Sequence, residues 1–183
     1  GILPILVVIV ILFAVLNGNF LRPNNLMNVL RQASINIVLA AGMTLVILTA
    51  GIDLSVGSVL ALTAVITADV LQAGVPVVLA VVIGLGAGAV TGLVNGLLIT
   101  LGRIPPFIAT LGMMTLARGL ALSYAQGRPI TGLPDRFLLV GTSSMLGIPT
   151  PIWITAVVYG AGMFVLRRTV LGRYIYAIGN SSR

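Results

Sequence analysis

Asp53, Asp69 and Asp135 are the only acids in this 183-residue chain, which contains no His, Cys, Glu or Lys. That removes imidazole acid–base chemistry, thiol nucleophiles, disulfides and the usual zinc donor sets. A carboxylate pair is the one remaining arrangement with catalytic potential. Asp53 and Asp69 stand sixteen residues apart along one expected helix, roughly 24 Å at 1.5 Å rise per residue. Carboxylates that share a proton lie far closer. The side chains therefore argue against an enzyme and against a metal centre. Asp53 has another use. It sits in "GIDLSVGS", Gly51 to Ser58, between two long apolar runs. An Asp or Ser just before a helix accepts hydrogen bonds from the first free N–H groups and suits the positive end of the helix dipole. Asp53 fits that place, and so does Ser55 if the helix begins slightly later.

The elements that must position this break are apolar. The chain is 58% hydrophobic and 7% charged, with mean hydropathy +1.19; soluble domains carry about 25% charged residues. No polar shell can be made from this composition, whereas apolar runs of roughly 20 residues fit a bilayer core of about 30 Å. The expected fold is all-α, a polytopic transmembrane bundle of about six spans, at 2–16, 35–50, 55–72, 76–101, 106–124 and 151–166. The first lacks the basic leader and cleavage site of a signal peptide. Residues 17–34 read as an interfacial helix entering the second span, 125–150 as a longer loop, and 167–183 as a basic tail. The net charge of +7 comes from ten arginines, scattered singly or in pairs. They form no stripe for nucleic acid and serve instead to set orientation. Density in the tail (Arg167, Arg168, Arg173, Arg183) places it inside with Arg103, opposite Arg22, Arg31, Arg128 and Arg136. "GIDLSVGS" is then either a capped turn at the membrane edge or a helix end facing a translocation path, where protein or water must cover the backbone.

Other residues could pack or line such a path. Gly84, Gly88, Gly92 and Gly96, each four apart, offer one helix face for close approach by a neighbour. Asn95 and Thr91 lie beside them, placed to bond a neighbouring helix or a backbone carbonyl. Asn36, Thr44, Thr49, Thr110 and Thr115 are polar groups inside apolar spans. They suit either interhelical bonding, worth about 0.6 kcal/mol in membranes, or weak contacts to a passing uncharged solute. Asn36, Thr44, Asp53, Ser55 and Thr110 are the path candidates. Asp69 and Arg118 are charges that need a partner, a watery cavity or the membrane surface.

"MTLVILTAGIDLSVGSVLALTAV" (43–65) resembles the signature of permease subunits of ABC-type sugar importers of the ribose-type branch. "PPFIATLGMMTLARGLA" (105–121), "GIPTPIWI" (147–154) and "LGRYIYAIGN" (171–180) resemble further blocks of that family, in order, along essentially the whole chain. The resemblance makes Gly51, Ile52, Asp53, Leu54, Ser55 and Gly57 the signature loop. It makes Arg173, Tyr174, Tyr176, Gly179 and Asn180 part of a cytoplasmic segment, 167–183, leading to the ATPase contact. Family members run well past 300 residues, so 1–183 corresponds to the N-terminal part of the permease domain. The family continues after Asn180 with a Glu/Ala-rich docking helix, where this sequence reads Ser181, Ser182 and Arg183.

What the resemblance implies is a bacterial inner-membrane permease that carries a small sugar, such as ribose or a related monosaccharide, driven by ATP. Its partners would be an ABC-type ATPase subunit, a periplasmic or extracellular sugar-binding protein, a second permease chain and the lipid bilayer, with no nucleic acid. The chain would carry no cofactor, ATP being used by the partner, and it has no GxxxxGK[ST] phosphate loop. Two other classes remain. One is an ion- or proton-coupled secondary transporter using Asp53 and Asp69; the other is a non-transporting membrane scaffold built on the glycine stripe.

Overall fold

The computed structural model describes residues 1–181. Arg183, and with it the last part of the tail, lies outside the described residues. Eight helices appear in order: α1 Ile2–Leu16, α2 Pro23–Leu48, α3 Val56–Gln72, α4 Val77–Thr100, α5 Pro106–Tyr124, α6 Asp135–Thr142, α7 Thr150–Arg168 and α8 Val170–Ser181. A two-residue hairpin, β1 Ser144–Met145 and β2 Ile148–Pro149, lies between α6 and α7. Four helices (α2, α4, α5, α7) are long and apolar enough to cross a bilayer, and α1 and α3 are shorter apolar helices. The bundle is thus all-α and polytopic.

Two expectations need correction. No boundary separates an interfacial helix from a second span at residue 34: α2 runs unbroken for 26 residues, because nothing between Pro23 and Leu48 breaks a helix. The stretch 125–150 is not simply a loop. Pro134 precedes α6, whose first turn carries Asp135, a good start for a short helix.

Proline marks most of the long starts. Pro23 opens α2, Pro106 opens α5, and Pro76 stands just before α4. At these positions the missing N–H is one that a helix leaves unpaired anyway. Helix ends are closed by the backbone itself. At the end of α3, Gly74 N–H bonds Leu71 O and Val75 N–H bonds Val70 O, with Gly74 left-handed at φ 84°. That pair of bonds is the Schellman closure. It lets α4 follow α3 after a short turn.

Packing divides the helices into two groups. α3 packs against both α4 and α5, while α2 packs against α7, with α8 and α6 also on α7. The α3–α5 seam holds Leu62, Ala117 and Ala121, flanked by Val59, Val65 and Ile66. α5 buries Ala109, Thr110, Met113, Ala117 and Ala121, a stripe at mostly i, i+4 spacing that turns small side chains inward. Large apolar side chains face outward: Val78 is 78% and Leu85 70% exposed. In a bilayer such faces meet lipid or further apolar helices, and close packing of small residues holds the helices together.

The glycine stripe is used over half its length. A Cβ at Gly84 would run into the Thr67 side chain, and one at Gly88 would sit 3.5 Å from Thr63 Cγ2. Nothing lies within 4 Å of such an atom at Gly92 or Gly96. Steps of four residues drift about 40° each around a 3.6-residue helix, so the stripe rotates off α3. The face that stays against α3 continues through Thr91 to the buried Asn95.

Gly84→Leu should destabilise the chain in detergent by about 1–3 kcal/mol through overpacking. Gly92→Ala should stay within about 0.5 kcal/mol of the parent. Thermal unfolding of the two variants checks this, and equal loss in both would contradict the assigned face.

Candidate functional site

The break between α2 and α3 gathers most of the polar chemistry of the chain. α2 ends in a second Schellman closure: Ala50 N–H bonds Ile47 O at 2.9 Å and Gly51 N–H bonds Val46 O at 3.1 Å. Here the left-handed position is taken by an alanine, Ala50, at φ 58°. That conformation costs an L-residue roughly 1–2 kcal/mol. Gly51 follows in a tight place, where a Cβ would come 3.2 Å from Val46 Cγ1.

Asp53 turns the chain into α3. Its Oδ1 accepts the Ser55 N–H at 2.7 Å and the Ser55 Oγ–H at 2.6 Å. This is an Asx-turn two residues long and not the N-cap anticipated from the sequence. Ser55 holds the cap position, yet makes no side-chain cap bond, because its hydroxyl is already committed. Having donated to Asp53, Ser55 Oγ accepts from Asn95 Nδ2 of α4 at 3.1 Å. Ser55 is 1% and Asn95 6% exposed. Asn95 Oδ1 is buried and has no partner among the described residues. On the other side, the Thr110 hydroxyl of α5 lies 3.2 Å from Ile52 O and 2.8 Å from Pro106 O, in reach of both. One irregular stretch, 49–55, is thereby tied to the inward faces of α4 and α5.

The remaining candidates are dispersed. Asn36 is exposed on α2 and makes no hydrogen bond among the described residues. Thr44 donates to Ala40 O of its own helix and lines a notch between α2 and α7 with Tyr159, Arg167 and Tyr176. Thr49 donates to Val46 O, and Thr115 to Gly112 O. Asp69 is met by the Tyr124 hydroxyl at 2.9 Å and not by Arg118, which is exposed and unpaired among the described residues. Ile52 and Leu54 of the signature loop are exposed, as is Gly57. Asn36 and Thr44 thus stand apart from the cluster formed by Asp53, Ser55 and Thr110.

The tail segment is a helix that touches the same end of the molecule. A Cβ on Gly179 would collide with the Leu48 carbonyl at the end of α2. Arg173, Tyr174, Tyr176 and Asn180 are exposed. A second ordered feature was not foreseen from the sequence. The Thr155 hydroxyl of α7 lies 3.2 Å from Ser34 O of α2 and 2.8 Å from Pro151 O of its own helix, in reach of both, and Thr155 and Ser34 are buried. Only the spacing of small hydroxyl residues on two spans could have signalled it. Between α2 and the α3–α4 pair lies an open apolar cleft of about 1010 Å³, with Arg128 and Phe137 at its α6 end.

Comparison with known proteins places these features in context. Residues 25–183 match the family described as branched-chain amino acid transport system / permease component. The ribose import permease protein of Haemophilus influenzae is 44% identical over 96% of this chain, and that of Escherichia coli 46% over 96%; each alignment covers 56% of the relative. The D-allose transport system permease protein of Escherichia coli is 36% identical over 97% of the chain and 55% of its own length. The chain therefore spans little more than half the length of these relatives. No solved structure matches it.

Asp53→Asn keeps an acceptor for Ser55 and should retain most of the stability. Asp53→Leu leaves Ser55 N–H and Oγ–H unpaired and should cost about 1–3 kcal/mol. Detergent unfolding of both variants decides the matter, and equal behaviour would show that the Asx-turn does not hold the junction.

Proposed function

This chain belongs to the branched-chain amino acid transport system / permease component family, and from that premise we propose that it forms the N-terminal part of the membrane permease of an ATP-driven importer for a small sugar, ribose or a related monosaccharide. The observation that carries the proposal is the likeness to ribose import permeases along almost the entire chain. The D-allose relative supports monosaccharides as the class. The apolar spans make the chain a multi-pass membrane protein, and the bacterial inner membrane is the compartment that fits the relatives.

In this reading an ABC-type ATPase subunit docks on the side where α8 and the α2–α3 break lie. A soluble sugar-binding protein delivers substrate to the side of α6 and the hairpin, and a second permease chain completes the path. ATP is consumed by the partner subunit. A neutral sugar needs no charged receptor, only hydroxyls and amides that bind weakly enough to release it. The break contributes the hinge through which such a path could open. Asp53 holds the turn, Ser55 and Asn95 fasten it to α4, and Thr110 fastens it to α5. Asn36, with its amide on α2, is offered as a contact along the path, whereas Thr44 opens on the notch between α2 and α7.

Inverted vesicles are unsuitable for an importer, so the test uses right-side-out proteoliposomes of the full permease with its ATPase and binding protein. Ribose uptake should require ATP hydrolysis inside and persist when an uncoupler collapses the proton gradient. Uptake that fails with the uncoupler while ATP is intact would instead support ion coupling through Asp53 or Asp69.

A further inference from the structure

The notch between α2, α7 and α8 is a separate site. It has a volume of about 180 Å³ and is lined by Thr44 and Leu45 of α2, Tyr159, Met163 and Arg167 of α7, and Tyr176 of α8. The chain builds it with a one-residue elbow. Thr169 ends α7 and caps α8: its Oγ1 donates to Val165 O at 2.6 Å and accepts the Gly172 N–H at 3.2 Å. Gly172 lies so close to the carbonyls of Val165 and Leu166 that a side chain there would collide with them, and Gly179 lies equally close to the carbonyl of Leu48. These two glycines are about 10.5 Å apart along the helix. α8 therefore runs across the ends of α2 and α7 instead of away from them, which keeps it at the level where the α7 span leaves the membrane.

Charge and polarity then select the occupant. Arg167, Arg168 and Arg173 cluster around the elbow, and the sequence holds no acid after Asp135. None of these arginines has a partner among the described residues. Tyr159 is 53%, Tyr176 50% and Met163 42% exposed, so the notch opens on the outside of the bundle, with one cation, two tyrosine hydroxyls and an apolar floor. A neutral sugar cannot compensate a guanidinium at such a boundary. A phosphate can, through charge-assisted and bidentate bonds, and an acyl chain can follow the apolar floor. We propose that this notch seats the headgroup of an anionic phospholipid from the leaflet on the α8 side. Arg167 meets the phosphate, and Tyr159 and Tyr176 are the hydroxyls beside it. The site does not depend on which solute the permease carries.

The test is lipid retention by this chain, purified from nanodiscs containing equal phosphatidylglycerol and phosphatidylcholine, and read by native mass spectrometry. The parent should retain phosphatidylglycerol preferentially. Arg167→Gln should lower that preference about fivefold, the effect of one surface arginine. Met163→Trp, which fills the notch and keeps every charge, should lower it as well, and circular dichroism reports whether each variant is folded. Equal retention of the two lipids by the parent would overturn the site. So would an unchanged preference in a folded Met163→Trp, or displacement of the lipid by millimolar ribose but not by glycerol phosphate.

Discussion

A peptide backbone that leaves helical geometry inside or at the edge of a membrane must find partners for its N–H and C=O groups without relying on water. The stretch 49–55 meets that constraint with its own atoms and the Thr110 side chain. Val46 O takes bonds from the Thr49 and Gly51 N–H groups, Asp53 takes two from Ser55, and Ile52 O lies within reach of Thr110. Almost everything else in the arrangement of α3, α4 and α5 is compatible with that solution. The small faces of α4 and α5 allow Asn95 and Thr110 to come close enough to reach it. Asn95 Oδ1, left without a partner among the described residues, shows that the cluster is not fully closed. Donors are the scarce element there, since Ser55 and Thr110 each have one proton and both are engaged.

The two packing groups differ in how they are joined. α3, α4 and α5 share an inward face of small residues and a polar node at one end. α2 and α7 are pinned where the buried Thr155 hydroxyl comes within reach of Ser34 O, and α8 is laid across their ends by close-approach glycines. Nothing in either group resembles a water-soluble core, because burial in lipid yields no hydrophobic gain between helices. Steric fit and a few hydrogen bonds carry the association instead. The family assignment and the packing agree on this point, since a permease must keep its helices attached yet able to shift.

Much of the fold was legible in the sequence, and the reasons are physical. Apolar runs bounded by proline or by Gly-rich turns located α1, α3, α4, α5 and α7 to within a residue or two, since length and hydropathy are read directly by a bilayer. Polar Asn24, Asn25 and Asn28 suggest a helix lying at the interface and separate from the second span, whereas they form the first turns of one continuous helix opened by Pro23. α6 was missed because it is short and amphipathic within a Gly- and Pro-containing segment. At the site, the place of "GIDLSVGS" as the break between α2 and α3 could be seen, but the form of its bonding could not. Whether Asp53 caps a helix or closes an Asx-turn depends on a shift of two residues in the start of α3. The glycine stripe was legible as a spacing; which half of it touches α3 depends on helical drift, visible only once α3 is in place.

α3 is fastened to α5 at both ends, through Ile52 O and Thr110 at one and Asp69 and Tyr124 at the other. Two tie points on the same pair of rods oppose sliding, so a movement of the triplet would take the form of a swing about 49–52. At about 1.5 Å per residue, the 17 residues of α3 give an arm of about 25 Å, and a swing of about 10° would carry its far tip about 4 Å. The tip is also where Gln72 bonds the Thr131 carbonyl, so the mouth on the α6 side would be dragged along by a movement that begins beside α8. A thrust at one surface would thus be delivered, geared up by the length of a single helix, at the other.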